Sequence, residues 1–324
     1  MTPRIWAALL LALCASVLLA LVIGPVSLSL GDVYGAIVGT ADSQAIAIVR
    51  TIRLPRIVMA VLVGAGLSAS GVALQTTMRN PLAEPYLLGV SGGAAVGAVL
   101  VTAAGLLHPA AVELAAFSGA VAAVLLVIAV AHASGARSSS PALVMAGVVI
   151  GAFANAAILV VLSGAPAGAV RDALWWMMGS LSGATWSGTA WLALVVSVSF
   201  AGLWLLAREI DVLSLGSDAA AALGVDVDRA TRRVFIVAAL LAAATVASAG
   251  LIGFVGLVVP AIVRALGARS TRATLVAAAV AGAALLVGAD VVARTIRSPA
   301  ELPLGAVTAL VGVPFFLARM RHVA

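Results

Sequence analysis

The sequence has no lysine, one cysteine and little charge of either sign. Charged residues make up 9% of its 324 positions, whereas a soluble domain carries roughly 25%. So sparse a set cannot cover a water-facing surface. Lipid is the solvent that fits, and in lipid only helices or closed barrels satisfy every backbone polar group. The missing lysine removes the phosphate-binding loop of nucleotide hydrolases, whose lysine reaches the nucleotide phosphates, and with it any Schiff-base lysine. If ATP drives this protein, another polypeptide hydrolyses it. The lone Cys14 excludes an intrachain disulfide and a cysteine metal cluster. His108, His132 and His322 are far apart and match no metal-ligand spacing. Neither a metal nor a cofactor is expected.

What is present is apolar: 64% of the residues are hydrophobic. The apolar stretches are long and do not alternate, which favours helices over a barrel. A helix needs about 20 residues to cross the bilayer. Spans are expected near 5–24, 57–77, 86–106, 112–132, 141–162, 189–207, 233–250, 255–267, 273–293 and 304–320. The fold class is therefore an all-α integral membrane protein of about ten helices, with one domain over residues 1–324. The run Ile5–Ile23 resembles a signal peptide, but with many spans behind it a retained first helix is expected. The eighth span is short and follows Gly250, Gly253 and Gly256, so irregular backbone there has to be buried in protein. Residues 27–39 read as an interfacial helix, and residues 208–229 form the longest polar interruption.

Arginine sets the orientation. All 18 basic residues are Arg. With the N-terminus inside, Arg4, Arg79, Arg137, Arg208, Arg229, Arg232, Arg233, Arg264, Arg269, Arg272, Arg319 and Arg321 are cytoplasmic. Arg50, Arg53, Arg56, Arg171, Arg294 and Arg297 remain outside. The reverse orientation inverts that asymmetry, so both termini are expected inside. The net charge of +6 does not indicate nucleic acid, because the arginines end apolar segments and form no basic patch with interleaved aromatics. Glycine and alanine crowd the spans, as in VLVGAGLSASG (61–71), and small residues let membrane helices pack closely. Residues 56–71 and 233–250 are loosely alike, and each opens the second span of a five-span half; halves of odd span number would be inverted repeats.

Several stretches then stand in a telling order. Arg53-Leu-Pro-Arg-Ile57 opens the second span, and QTTMRNPLAEP (75–85) closes it. YLLGVSGG (86–93), LGSDAAAALGVDVDR (215–229), GLIGFVGLVVPAIVR (250–264), GADVVAR (288–294) and ELPLGAVTALVGVPFF (301–316) follow. Together these resemble the FecCD-type permease family, the membrane subunits of ABC importers for iron-siderophores, haem and vitamin B12. The likeness covers roughly residues 50–320. Members often carry His after the Pro of GLVVP, where this chain has Ala261. The resemblance implies the vitamin B12 importer permease fold in the bacterial cytoplasmic membrane. It also implies a homodimer, or a pair with a paralogous permease, two cytosolic ATPase subunits and a periplasmic or lipid-anchored binding protein. The expected cargo is an iron chelate, with cobalamin as the alternative, and the permease itself makes no covalent change.

The resemblance also assigns residues. Arg53, Arg56 and Arg294 match outer arginines that engage acidic side chains of the binding protein; the bland alternative is anchoring to lipid phosphate. Segment 208–229 matches the coupling helix pair set in a cleft of the ATPase, with Leu215, Gly216, Asp218, Leu223 and Gly224 as its key positions. An acid at Asp218 suits the positive end of a helix. The Asn80–Glu84 turn and the 137–141 loop match the cytoplasmic gate, with Asn80, Leu82, Ser139 and Ser140 as candidates; an ordinary turn is the alternative. From the residues alone, Asp290 is an intramembrane acid, functional by default. Arg294 lies four residues on, and pairing would orient that arginine; Glu301 is a similar acid. Trp175, Trp176, Trp186 and Trp191 read as an aromatic belt, with contact to a flat ligand as the sharper reading.

Two rivals are weaker. Gly89-Val-Ser-Gly92 reads as the GxSG of an intramembrane protease, but a serine nucleophile needs a base within reach, and no GxxxH helix is present. A proton-coupled transporter wants acids in mid-span, and nearly all twelve acids lie at span ends or in loops.

Overall fold

The computed structural model describes residues 1–133 and 140–320, without the side chains of 140 and 316–320. Helices α1 (Pro3–Val22), α2 (Leu30–Val38) and α3 (Ser43–Ala47) lead to α4 (Leu54–Thr77). Helices α5 (Val90–Ala103), α6 (Pro109–Ala133), α7 (Ser140–Ser163), α8 (Ala167–Met177) and α9 (Trp186–Leu205) follow. Two short helices, α10 (Ala207–Leu213) and α11 (Ser217–Ala222), precede α12 (Val227–Ala249), α13 (Val255–Ala265), α14 (Thr271–Thr295) and α15 (Leu304–Met320). Seven helical stretches are long and apolar enough to cross a membrane, and α5, α13 and α15 supply three shorter apolar ones. Each expected span therefore has its helix.

Three boundaries differ from expectation. The second span does not start near residue 57; helix runs unbroken over 35 residues from Ser43 to Thr77. A π turn, Ile48–Arg53, joins α3 to α4, and the Leu54 N–H donates to the Val49 carbonyl. Pro55 stands just beyond. Its ring and missing N–H would break a regular α ladder, and the wider turn lets the helix pass through it. The third span is shorter than 86–106. Helix α5 has 14 residues, about 21 Å against a hydrocarbon core of about 30 Å. Its lead-in is a single 3₁₀ turn, Pro85–Leu88, ending at Gly89 in the left-handed region (φ 77°). Helix α8, capped by Pro166 and running to the Trp175–Trp176 pair, was not expected from the sequence.

The interfacial helix expected over 27–39 is α2. Ser29 accepts from the Asp32 N–H at 3.1 Å, and the Asp32 carboxylate accepts from the Ser29 N–H at 2.9 Å, a reciprocal cap. The Ser29 hydroxyl, which donates to the carboxylate at 2.7 Å, and then the Ser29 N–H hold the Asp32 carboxyl below its ordinary pKa.

Helices α4 and α12 form the centre, with 78% and 72% of their spans buried, whereas α1 has only 17% buried. Close approach explains the glycines of α4. A methyl at Gly64 would overlap the Gly282 carbonyl of α14, and one at Gly71 would overlap the Gly256 carbonyl of α13. Buried serine suits the same surface: the Ser70 hydroxyl donates to the Ala238 carbonyl at 2.8 Å. Small residues here are packing residues.

Candidate functional site

At the outer ends of α4 and α14, three arginines and two acids meet. The Arg56 Nε lies 3.0 and 3.1 Å from the two Asp290 oxygens, and its Nη2 donates to Oδ1 at 2.8 Å. The same guanidinium donates to Glu301 at 2.6 and 2.9 Å. One fork thus serves two carboxylates, a geometry that only arginine provides. Arg294 is within ion-pair distance of Asp290 (3.6 Å), the pair expected from spacing, yet its hydrogen bond goes to the Ala20 carbonyl at 2.5 Å. Arg53 donates to the carbonyls of Leu21, Val22 and Val26. Arg53 and Arg294 therefore cap the carboxyl end of α1, whose last carbonyls lack helical partners. Arg53, Arg56, Arg294 and Asp290 expose 3%, 6%, 3% and 2% of their surfaces. Arginines read from the sequence as outward-facing are turned into the subunit.

At membrane depth, two irregular stretches satisfy each other. The α12–α13 break passes through Gly250 (φ 72°) and Phe254, a non-glycine residue at φ 69°. The Tyr86 hydroxyl donates to the Ile252 carbonyl at 2.9 Å and accepts from the Ile252 N–H at 2.7 Å. The Glu84 carboxylate accepts from the Phe254 N–H at 2.8 Å. Non-helical backbone in a membrane is tolerated where protein satisfies it, and the lead-in to α5 does so for the lead-in to α13. The expectation that the glycine-flanked break is buried in protein holds, although sequence reasoning missed Glu84 and Tyr86 as its partners. The acid and phenol beside a proline turn were the available signal.

At the inner end, Leu215–Gly216 and Leu223–Gly224 do bracket a short helix, α11, with Asp218 in its first turn. Gly216 and Gly224 sit at φ 110° and 81°, conformations that glycine alone adopts cheaply. Ala220 packs inward on Leu213 and Ala230, while Leu215 and Leu223 are 62% and 63% exposed. Asp211, in α10, accepts from the Thr271 N–H (3.0 Å) and hydroxyl (2.6 Å) at the start of α14.

Comparison with known proteins settles the lineage. The FecCD transport family matches residues 10–322. The chain belongs to the FecCD transport family. A cobalamin import system permease protein of Halobacterium salinarum is 44% identical, over 85% of this chain and 73% of that one. An Fe(3+)-citrate import system permease protein of Bacillus subtilis is 35% identical, over 95% of this chain and 94% of that one. The solved structure of a metal-chelate type ABC transporter in an inward-facing conformation superposes with a TM-score of 0.89 at 28% identity, covering 99% of this chain and all of that one.

In this FecCD protein the candidate gate turn is only partly described. The Asn80 side chain accepts from the Leu82 N–H at 2.9 Å, and both residues are exposed. Ser139 lies outside the described residues, and Ser140 starts α7 with its side chain outside them. The turn does touch the inner segment. Arg79 takes φ 49°, and a methyl at Gly216 would lie 3.0 Å from its Nη1. Behind the turn, the Gln75 amide donates to the Gly256 and Leu257 carbonyls at 3.1 and 3.3 Å and accepts from Arg264.

The outer end holds a cavity of about 1210 Å³ between α6, α9, α12 and the turn before α15. Trp175, Trp176 and Trp191 line it, with Glu113 and a group of hydroxyls. Trp186 instead donates from its indole N–H to the Arg50 carbonyl at 2.9 Å.

Proposed function

We propose that this chain is the membrane subunit of an ABC importer that carries a metal chelate, an iron chelate or cobalamin, across the bacterial cytoplasmic membrane. Transport is driven by ATP hydrolysed on a partner. The observation that carries this reading is α11, a short helix held by two glycine turns at the inner face with an exposed leucine at either end. Both leucines are open to a partner on the inner side, and a cytosolic ATPase seated on α11 would cover them. Membership of the FecCD family, and the import names of its relatives, support the same assignment. The assembly would contain two permease copies, or a paralogous pair, two ATPase subunits and a binding protein outside. Asn80, Leu82, Ser139 and Ser140 would close the inner end of the pathway.

Docking of the binding protein belongs, in this reading, to the surface formed by Arg53, Arg56 and Arg294. Their burial adds a condition. Each guanidinium already holds carboxylates or carbonyls of its own subunit, so a partner's acid must share or displace those acceptors. The test is reconstitution with the ATPase and binding protein: ATP-dependent chelate uptake into vesicles supports the assignment. Failure of the purified chain to retain any ATPase, or uptake that follows an ion gradient without ATP, refutes it.

A further inference from the structure

Two carboxylates share Arg56, and they are held differently. Asp290 belongs to α14 and takes Nε and Nη2. Its side chain is 2% exposed, and Arg294 stands 3.6 Å away as a second cation. Glu301 belongs to the connection between α14 and α15, and its side chain is 31% exposed. Its carboxylate accepts from Nη1 at 2.6 Å and from Nη2 at 2.9 Å, and among the described residues Arg56 takes all of its side-chain hydrogen bonds. A guanidinium offers carboxylates a side edge and an end, and either can hold one in bidentate fashion. Asp290 fills the side edge of Arg56, and Glu301 fills the end.

The end held by Glu301 is the part of the fork that an acid from outside needs, and Glu301 presents to it the same chemical group. A tethered carboxylate acts at an effective concentration of about millimolar, so a lone acid in solution does not displace it. A protein that engages several points at once does. Displacing Asp290 instead would open a pair buried on both sides, the more costly exchange. Arg53 offers no comparable end, because its donors go to the carbonyls at the end of α1.

The connection that carries Glu301 can move without unseating its neighbours. Helix α14 ends at Thr295, and residues 296–300 are all exposed. Just beyond Glu301 the chain is pinned. Leu302 donates its N–H to the Ala293 carbonyl at 2.8 Å, and Leu304 and Gly305 donate theirs to the Gly179 and Met178 carbonyls at 3.0 and 3.2 Å. Release of Glu301 therefore needs only residues 296–301 to shift, with α15 left in place.

We infer that Glu301 is a resident competitor for the partner's carboxylate. It closes the end of Arg56 while nothing is docked, an aspartate or glutamate of the binding protein exchanges with it, and the connection over residues 296–301 moves away from Arg56. Asp290 stays as the fixed anchor. The inference rests on the docking reading above and deepens it by naming the group that the partner must displace.

The probe is the binding protein that supports uptake in the reconstitution described above, and its affinity is measured on permease–ATPase complexes in nanodiscs. The apparent dissociation constant is the intrinsic one divided by the fraction of sites left open. If Glu301 fills the end of Arg56 about nine-tenths of the time, Glu301→Gln binds on the order of tenfold more tightly. A merely structural partner of Arg56 gives no gain. Glu301→Asp, with a shorter reach, should gain part of that affinity, and it decides alone if Glu301→Gln does not fold. In the Arg56→Met, Asp290→Leu background, Glu301→Gln should add nothing, since the two sites act as a unit. Spin labels on cysteines at Ser43 and Ala300, both exposed, in a Cys14→Ser background should report a changed distance on docking in the parent. The same distance should be populated in Glu301→Gln without a partner. A distance that docking does not move overturns the exchange. Unchanged or weaker binding by the Glu301 variants, with weaker binding by the Arg56 and Asp290 double variant, overturns the competitor and leaves the docking reading standing. Parent-like binding by that double variant overturns docking at Arg56, and the competitor falls with it.

Discussion

Arg56 and Asp290 are joined by three hydrogen-bond contacts of 2.8 to 3.1 Å across 234 residues of sequence, with both side chains buried. The pair ties the outer ends of α4 and α14, the two helices whose glycines interlock further in. Removing Asp290 leaves Arg56 with Glu301 alone and takes the ion-pair partner from buried Arg294, and breaking a buried pair costs about 3–5 kcal/mol. Asp290→Asn should lower the melting temperature of the detergent-solubilised protein. Arg56→Met with Asp290→Leu should recover part of that loss, because the apolar pair removes the strongest unpaired charge, although Arg294 and Glu301 then lose a partner each. Unequal effects on affinity separate docking from structure. If Arg56 also engages a binding protein, the double variant melts above Asp290→Asn yet binds that protein at least tenfold more weakly than Asp290→Asn does. Normal affinity in the double variant removes Arg56 from the docking surface.

Tyr86 both donates to and accepts from Ile252, so Tyr86→Phe leaves a backbone N–H and carbonyl without partners at membrane depth. A buried group left unsatisfied costs about 1–3 kcal/mol. Tyr86→Phe and Glu84→Ala should each lower stability. Hydrogen exchange at residues 251–254 should accelerate in both, with α4 unchanged as the internal control. Unchanged protection in that segment would show that water or another group satisfies the break.

The sequence carried the helix count because ten apolar runs in lipid leave one physical solution. It carried the inner helix α11 because Gly216 and Gly224 punctuate an alanine run. What it could not carry is any contact between distant segments. Nothing near Arg56 announces Asp290 or Glu301, and an arginine at a span end reads as partner-facing when no acid stands beside it. Asp290 and Arg294 were legible as a pair from their four-residue spacing, but the stronger competitor came from another helix. The long helix through Pro55 was hidden because proline ordinarily marks a helix start, and only the π turn lets the chain continue upstream. Helix α8 was hidden because its apolar content is too low for a span.

Gly224 separates folding from coupling. A methyl there meets no atom within 4 Å, so Gly224→Ala disturbs only a backbone at φ 81°, a cost of about 1–2 kcal/mol. The subunit should still purify as a folded species. Against a partner, the same change alters how Leu223 is presented. Gly224→Val and Asp218→Arg should leave the ATPase active while chelate uptake falls at least tenfold. Coupled uptake at the parent rate in both variants would remove α11 from the contact with the motor.

Asp211 places the inner segment in mechanical register with α14. Its carboxylate accepts from both the Thr271 N–H and hydroxyl, capping the helix whose far end holds Asp290 and Arg294. Motion of α10 and α11 under a motor would then be passed to a helix of 25 residues that reaches the outer face, about 37 Å away at 1.5 Å per residue. Asp211→Ala removes that cap at a cost of about 1 kcal/mol, small enough for the fold to survive. If α14 is the transmitting element, this variant keeps ATPase recruitment and loses uptake in proportion to its looser grip, and a Thr271→Val variant, which keeps the backbone bond alone, falls between it and the parent. If Asp211 only caps a helix, both variants melt slightly earlier and transport at the parent rate below their melting temperatures. Uptake measured well below those temperatures distinguishes the two roles.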